Sequence, residues 1–265
     1  MRGAKQARRV GEKGTSFRRS GFFLLRLGAY GSIIERPLTS GRQEEEMTLM
    51  KKKLSLSVLC FLLFIALIAV VRTVDVAAIG PEGTKVGLSS LNQAVHNALG
   101  VNMGLYQITQ YLGYASLLLA AGFGVFGLIQ LVQRRSLKKV DKAIWLLAGL
   151  YAVTAVLYVL FEKLIVNYRP IVLPDEAGPE ASFPSTHTML FFVILGSAAM
   201  VTGRYVKNPK TALLIRVVCA VLVILGTAFR LGSGVHWFSD ICGGVLISSA
   251  LLLAFSALLE KADNT

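Results

Sequence analysis

The chain has 265 residues, 54% of them hydrophobic and only 16% charged, with a mean hydropathy of +0.60. Soluble domains carry about 25% charged residues, so this composition excludes a water-soluble globular fold. The formal net charge of +13 is carried by short basic clusters between apolar runs, which points to membrane topology and away from nucleic acid.

Residues 1–50 form a basic extension without a helical period. The plain expectation is a disordered cytoplasmic tail. The alternative is a start at Met47 or Met50, because GRQEEE before them could be a translated ribosome-binding site. Residues 51–104 read as a first membrane anchor followed by an outer loop, and residues 105–260 as a core of five further helices. A bilayer-spanning helix needs about 20 mostly apolar residues. Six stretches qualify, near 54–72, 105–132, 143–161, 185–203, 212–231 and 239–259. The expected fold class is therefore all-α, a polytopic membrane bundle of six helices. The first stretch follows Lys51, Lys52 and Lys53 and exceeds the apolar core of a cleaved signal, so an uncleaved anchor is expected. Cys60, Cys219 and Cys242 all lie in apolar stretches without metal-ligand spacing and read as packing residues.

With six spans, the extension, QRRSLKKVDK at 133–142 and RYVKNPK at 204–210 fall on one side. The loops at 73–104, 162–184 and 232–238 fall on the other and are poor in Lys and Arg. The positive-inside rule places both termini in the cytoplasm and the loops 162–184 and 232–238 outside.

Ionisable groups at membrane depth cost about 2.5–3.5 kcal/mol each on insertion scales and need a reason. The unusual polar residues concentrate in three segments: EKLIVNYRP with Glu162, Lys163 and Arg169; SFPSTH with Pro184, Ser185, Thr186 and His187; and RLGSGVHWFSD with Arg230, His236 and Asp240. Each sits at the outer end of a span, so three distant segments converge on one level. The chain has three histidines, and two of them fall here. His236 and Asp240 are four apart and share a face if helical. A carboxylate beside an imidazole fixes its tautomer, the arrangement of an oriented nucleophile or base. Taken alone, the pair also reads as an interfacial ion pair. Arg230, before a turn with Gly232 and Gly234, can return over the histidine and grip a phosphate. Ser185 reads as an N-cap or, with the following N–H groups, as an anion site. His187 in that first turn is placed to donate a proton. Arg169, Lys163 and Arg230 taken singly read as interface anchors. His96 has no visible partner, and Trp237 reads as an interfacial aromatic or a wall of the site.

Together the three segments resemble the signature of the type 2 phosphatidic acid phosphatase superfamily, K-x6-R-P, then P-S-G-H, then S-R-x5-H-x3-D. The resemblance covers roughly residues 100–260 in order and spacing, and the third motif matches its spacing fully. It implies that His236 attacks phosphorus, Asp240 orients it and His187 protonates the leaving oxygen. It also implies that Arg169, Arg230, Ser185 and the Thr186 backbone hold the phosphate, with no metal and no cofactor. The sequence departs from the pattern at three places. Thr186 replaces Gly, Phe229 replaces Ser, and Lys163 stands one residue too close to Arg169, with Glu162 in the lysine position. A one-residue shift rotates a helical side chain by about 100°. Lys163 stays in the expected phosphate set, reaching it through a distorted helix end.

The resemblance implies a multi-pass cell-membrane phosphatase acting on a phospholipid or isoprenoid lipid phosphate. Undecaprenyl diphosphate, phosphatidic acid and phosphatidylglycerophosphate are the candidates, and nucleic acid is not a partner. The alternative is a non-catalytic lipid-binding or transport protein on the same scaffold, favoured by the misplaced Glu162. Phosphate release by purified protein in EDTA separates the two.

Overall fold

The computed structural model describes residues 40–263; residues 1–39, most of the N-terminal extension, lie outside it. Its helices are α1 (Ser40–Thr73), α2 (Ser89–Leu99), α3 (Met103–Arg134), α4 (Lys142–Lys163), α5 (Thr186–Leu190), α6 (Gly196–Tyr205), α7 (Pro209–Gly232) and α8 (Phe238–Asp263). A π turn, Phe191–Leu195, joins α5 to α6, so Thr186–Tyr205 runs as one span. Among the described residues, six helices are long and apolar enough to cross a membrane, at the six expected places. α1 already begins at Ser40, upstream of the expected boundary at residue 50. The amphipathic α2, inside the loop 73–104, was not expected from the sequence.

Local chemistry sets the helix ends. Asn102 caps α3 by accepting from the Leu105 N–H at 3.0 Å. Asn208 caps α7, accepting from the Lys210 N–H at 2.9 Å, with Pro209 in the first turn. At α8 the cap comes from elsewhere in the chain: Asn92 Oδ1 of α2 accepts from the Ser239 N–H at 3.0 Å. Asp240 Oδ2 reaches back to the Trp237 N–H at 2.9 Å, one half of a capping box.

The outward faces carry bare apolar side chains such as Leu118, Val156, Leu214 and Ile224, as lipid-facing surfaces do. Inside, α1 lies along α8, tied by Lys53 to Glu260 and by the Ser57 hydroxyl donating to the Ala250 carbonyl at 2.7 Å. Phe64 of α1 stacks on Phe183 at 5.8 Å and meets Phe161 of α4 edge-on at 5.6 Å. This aromatic group forms part of the core. One end of the bundle gathers Lys53 with Glu260, Arg134 with Asp141, and Arg204 with Asp263. The loops 74–88, 164–185 and 233–237 belong to the opposite end.

Candidate active site

Three loops bring the site together. The segment after α4 pairs with the segment before α5: the Arg169 N–H donates to the Glu180 carbonyl at 3.0 Å, and the Ser182 N–H to the Asn167 carbonyl at 2.9 Å. The Trp237 indole N–H donates to the Tyr168 carbonyl at 2.6 Å, which ties this small ribbon to the start of α8. Gly243 and Gly244 let the segment before α5 lie against α8. A Cβ at Gly243 would stand 2.6 Å from the Phe183 ring, and one at Gly244 3.0 Å from the Ser185 carbonyl. The Ser185 N–H closes the junction by donating to the Asp240 carbonyl at 3.0 Å.

His236 stands at the centre and is 3% exposed. It lies in the turn before α8, not on the helix, so the expected shared helix face is replaced by a carboxylate reaching back over the helix start. Its Nε2 is 3.2 Å from Arg169 Nη1 and 3.2 Å from Arg230 Nη2. Guanidinium groups only donate. Nε2 is therefore the acceptor nitrogen, with its lone pair between the two arginines, and Nδ1 carries the proton. Asp240 Oδ2 is 3.5 Å from Nδ1, a long approach short of a hydrogen bond. Burial, reinforced by the charges of Arg169 and Arg230, holds the His236 pKa well below its ordinary value. The imidazole is neutral, as a nucleophile requires.

Both arginines are fixed by further bonds. Arg169 donates through Nε to Glu180 Oε2 at 3.1 Å and through Nη1 to the Val235 carbonyl at 3.3 Å. Arg230, in the last turn of α7, is 1% exposed. It turns inward instead of snorkelling. Its Nη1 donates to Thr109 Oγ1 at 3.1 Å, and its Nε has no partner among the described residues. Ser185 precedes α5, fully buried, and its hydroxyl oxygen accepts from the Thr188 hydroxyl at 3.1 Å. The Thr186 and His187 N–H groups open the span without intrahelical acceptors. His187 lies close enough to Arg230 and Arg169 for their charges to act on it.

Seven of the expected site residues, Arg169, Ser185, Thr186, His187, Arg230, His236 and Asp240, thus meet at one end of the bundle. Lys163 does not join them. It is exposed at the last residue of α4, as is Glu162, and neither bonds to any site residue. The buried side of that helix end is taken by Phe161, and both residues that follow it are exposed.

Sequence reasoning missed a second ring of residues. Asn167 is 1% exposed; it donates to Asp240 Oδ1 at 3.5 Å and accepts from the Gly87 N–H at 3.1 Å. Asn92 donates to Ser239 Oγ at 2.9 Å and to the Gly87 carbonyl at 2.8 Å. His96, for which the sequence shows no partner, packs its ring 5.4 Å from Trp237. A separate cleft of about 290 Å³ between α1, α4 and α8 holds none of these residues. Its lining is almost wholly apolar, with nothing there to hold a phosphate. Among the described residues no group of three or more His, Cys, Asp or Glu side chains is placed to bind a metal.

A comparison with known protein families falls on the same segments. Residues 142–263 match the PAP2 superfamily. That region holds all the expected site residues, while α1, α2 and α3 precede it. The chain also resembles the crystal structure of a transmembrane PAP2 type phosphatidylglycerolphosphate phosphatase from Bacillus subtilis. The identity is 21% and the TM-score 0.53, over 78% of this chain and 95% of that one. At that identity the likeness speaks for the fold. No curated protein matches the sequence. The chain has the fold of a PAP2-family membrane phosphatase.

Proposed function

We propose that this protein hydrolyses the phosphate monoester or diphosphate of a membrane lipid through a phosphohistidine on His236. The observation that carries the reading is the neutral His236 Nε2 held between Arg169 and Arg230, with Asp240 behind it. The Nε2 lone pair forms the N–P bond as the P–O bond to the lipid breaks, and protonated His187 delivers a proton to the departing oxygen. A water, deprotonated by His187, then attacks phosphorus, the N–P bond breaks and inorganic phosphate leaves. Arg169, Arg230, the Ser185 hydroxyl and the Thr186 backbone N–H hold the phosphoryl oxygens, whose charge these fixed donors oppose throughout. The step needs no metal in this scheme.

The basic clusters at 51–53, 134–142 and 204–210 support a cytoplasmic position for the end opposite the site, with both termini inside and the site facing outward. That position suits a cell-envelope lipid: undecaprenyl diphosphate, phosphatidic acid or phosphatidylglycerophosphate. The exposure of Glu162 at the end of α4 speaks against the non-catalytic alternative, which rested on a carboxylate turned toward the phosphate. The deciding experiment is phosphate release from this lipid panel by purified protein in EDTA. Turnover lost in His236→Ala supports the reading. No release from any of the lipids, or full dependence on an added divalent ion, refutes it.

A further inference from the structure

α3 precedes the matched region, yet one of its faces is built against the site. Tyr106, Thr109 and Gly113 recur at spacings of three and four and so share one stripe of the helix. Two of them meet Arg230. Its Nη1 donates to Thr109 Oγ1 at 3.1 Å, and its Cζ lies 5.2 Å from the Tyr106 ring centroid, within cation–π range. The Thr109 hydroxyl proton is committed to the Tyr106 carbonyl at 2.7 Å, which leaves its lone pairs for the guanidinium. Thr109 is fully buried, at 0% exposure. One turn on, Gly113 faces the other catalytic side chain. A methyl group there would stand 2.9 Å from His187 Cδ2 and 3.2 Å from Nε2. The start of α3 is pinned to the loop between Arg230 and His236. The Asn102 N–H donates to the Ser233 carbonyl at 3.1 Å, and a Cβ on Gly234 would fall 2.2 Å from the Gly100 carbonyl oxygen.

We propose that this face of α3 sets the two groups that flank the phosphoryl group: Thr109 is the positioning residue for Arg230, and Gly113 fixes the place of His187. The inference rests on the phosphatase reading above. A guanidinium is a flat fork whose value lies in its orientation. Arg230 uses Nη2 on His236 and leaves Nε without a partner, so the Thr109 bond on Nη1 is what fixes its remaining rotation. Without it the fork loses preorganisation, and misplacement of about 1 Å costs about a hundredfold in rate. Gly113 acts on a different atom. Any side chain there displaces the imidazole that protonates the leaving oxygen, and leaves the phosphate-holding arginines in place.

The two effects carry different signatures. In the full chain in detergent, Thr109→Val should weaken orthovanadate binding. It should also lower kcat/KM for an aryl phosphate and for an alkyl lipid phosphate by the same factor, about tenfold to a hundredfold. Thr109→Ser, which keeps the hydroxyl, should restore most of both. Gly113→Ala should leave vanadate affinity near wild type. Its loss on the alkyl ester should exceed that on the aryl ester by about tenfold or more, because only the poor leaving group needs the proton. Wild-type behaviour of Thr109→Val, equal impairment of the Ser and Val variants, or an equal loss in Gly113→Ala on both esters would each overturn the proposal. If thermal unfolding shows that Thr109→Val is not folded, Thr109→Ala removes the same acceptor and decides the question. Wild-type protein that binds vanadate but releases phosphate from no ester would refute the phosphatase reading, while the Thr109 comparison is still decided by the vanadate affinities. Wild-type protein that does neither overturns both.

Discussion

Asn92→Ala tests whether the segment between α1 and α3 holds the start of α8 in place. Asn92 is 0% exposed and makes three hydrogen bonds: to the Gly87 carbonyl at 2.8 Å, to Ser239 Oγ at 2.9 Å, and from the Ser239 N–H at 3.0 Å. Net, such bonds contribute about 1 kcal/mol each, and a buried group left without a partner costs about 1–3 kcal/mol. The alanine variant leaves the Ser239 N–H at the start of α8 without its acceptor. Ser239 Oγ keeps Asn167 only at 3.4 Å. The expected destabilisation is therefore about 2–4 kcal/mol, or a fall in Tm of about 5–15 °C on the scaling for chains of this size. Activity should fall further than stability alone explains, because Asp240 follows Ser239 directly and is set by the same first turn. Asn92→Asp retains the acceptor for the Ser239 N–H but turns an oxygen toward the Gly87 carbonyl, so it should be no milder. Thermal unfolding in detergent, followed by turnover below the transition, measures both effects. A shift of less than about 1 °C would show that this segment does not brace α8.

His236→Ala should abolish turnover of every substrate, whereas His187→Ala should lose about 10²–10⁴-fold on an alkyl ester and much less on an activated aryl phosphate; phosphate label trapped on His187 instead of His236 would reverse the assignment. The pKa of His236 is held below its ordinary value, so activity on an aryl phosphate should persist as pH falls through about 6.5. The same shift has a sign for stability: below that pH the unfolded chain binds a proton that the folded chain does not, so folding stability falls with pH. A titration of labelled His236 at or above 6.5 would refute both statements. A cysteine placed at Gly178 should react with an impermeant reagent in intact cells and one at Ser136 should not; the reverse pattern overturns the outward site.

The spans were legible because each needs only an apolar run of sufficient length, a one-dimensional property. The site was legible where local sequence dictates local geometry. Ser185 and His187 open a span, and Gly232 and Gly234 turn the chain so that Arg230 comes back to His236. Helical spacing suggested the His236–Asp240 pair, although the structure makes it through a helix cap. What escaped were partners fixed by distant packing. Asn92 meets Ser239 across 147 residues, and Arg230 meets Thr109 across 121. Nothing in LNQAVHNALG or YQITQYLG distinguishes a buried asparagine or threonine that braces a site from one that faces water. The signal available in the sequence was the amphipathic pattern of α2, a short polar helix beside apolar spans. Lys163 is a different case. The one-residue offset was visible in the sequence, but it does not explain the exposure, because Glu162 in the family's lysine position is exposed as well.

The charge arrangement of the site supports a function in which negative charge is brought to it. Two guanidinium groups converge on one imidazole nitrogen. Glu180 meets Arg169, with its side chain 34% exposed, while Asp240 lies on the far side of the imidazole at Nδ1. Arg230 has no carboxylate partner, and its Nε has no hydrogen-bond acceptor among the described residues. A buried cation without an anion is destabilising by several kcal/mol, so the fold sustains this arrangement through Thr109, Tyr106 and the packing of α3. A phosphoryl group offers Arg230 an anionic acceptor of matching geometry. Its equatorial oxygens carry spread charge in the transition state, when fixed donors help most. A monoanionic carboxylate such as Glu180 satisfies one edge of one arginine. A ligand with several charged oxygens satisfies both forks at once, as the phosphoryl group of an ester or diphosphate does.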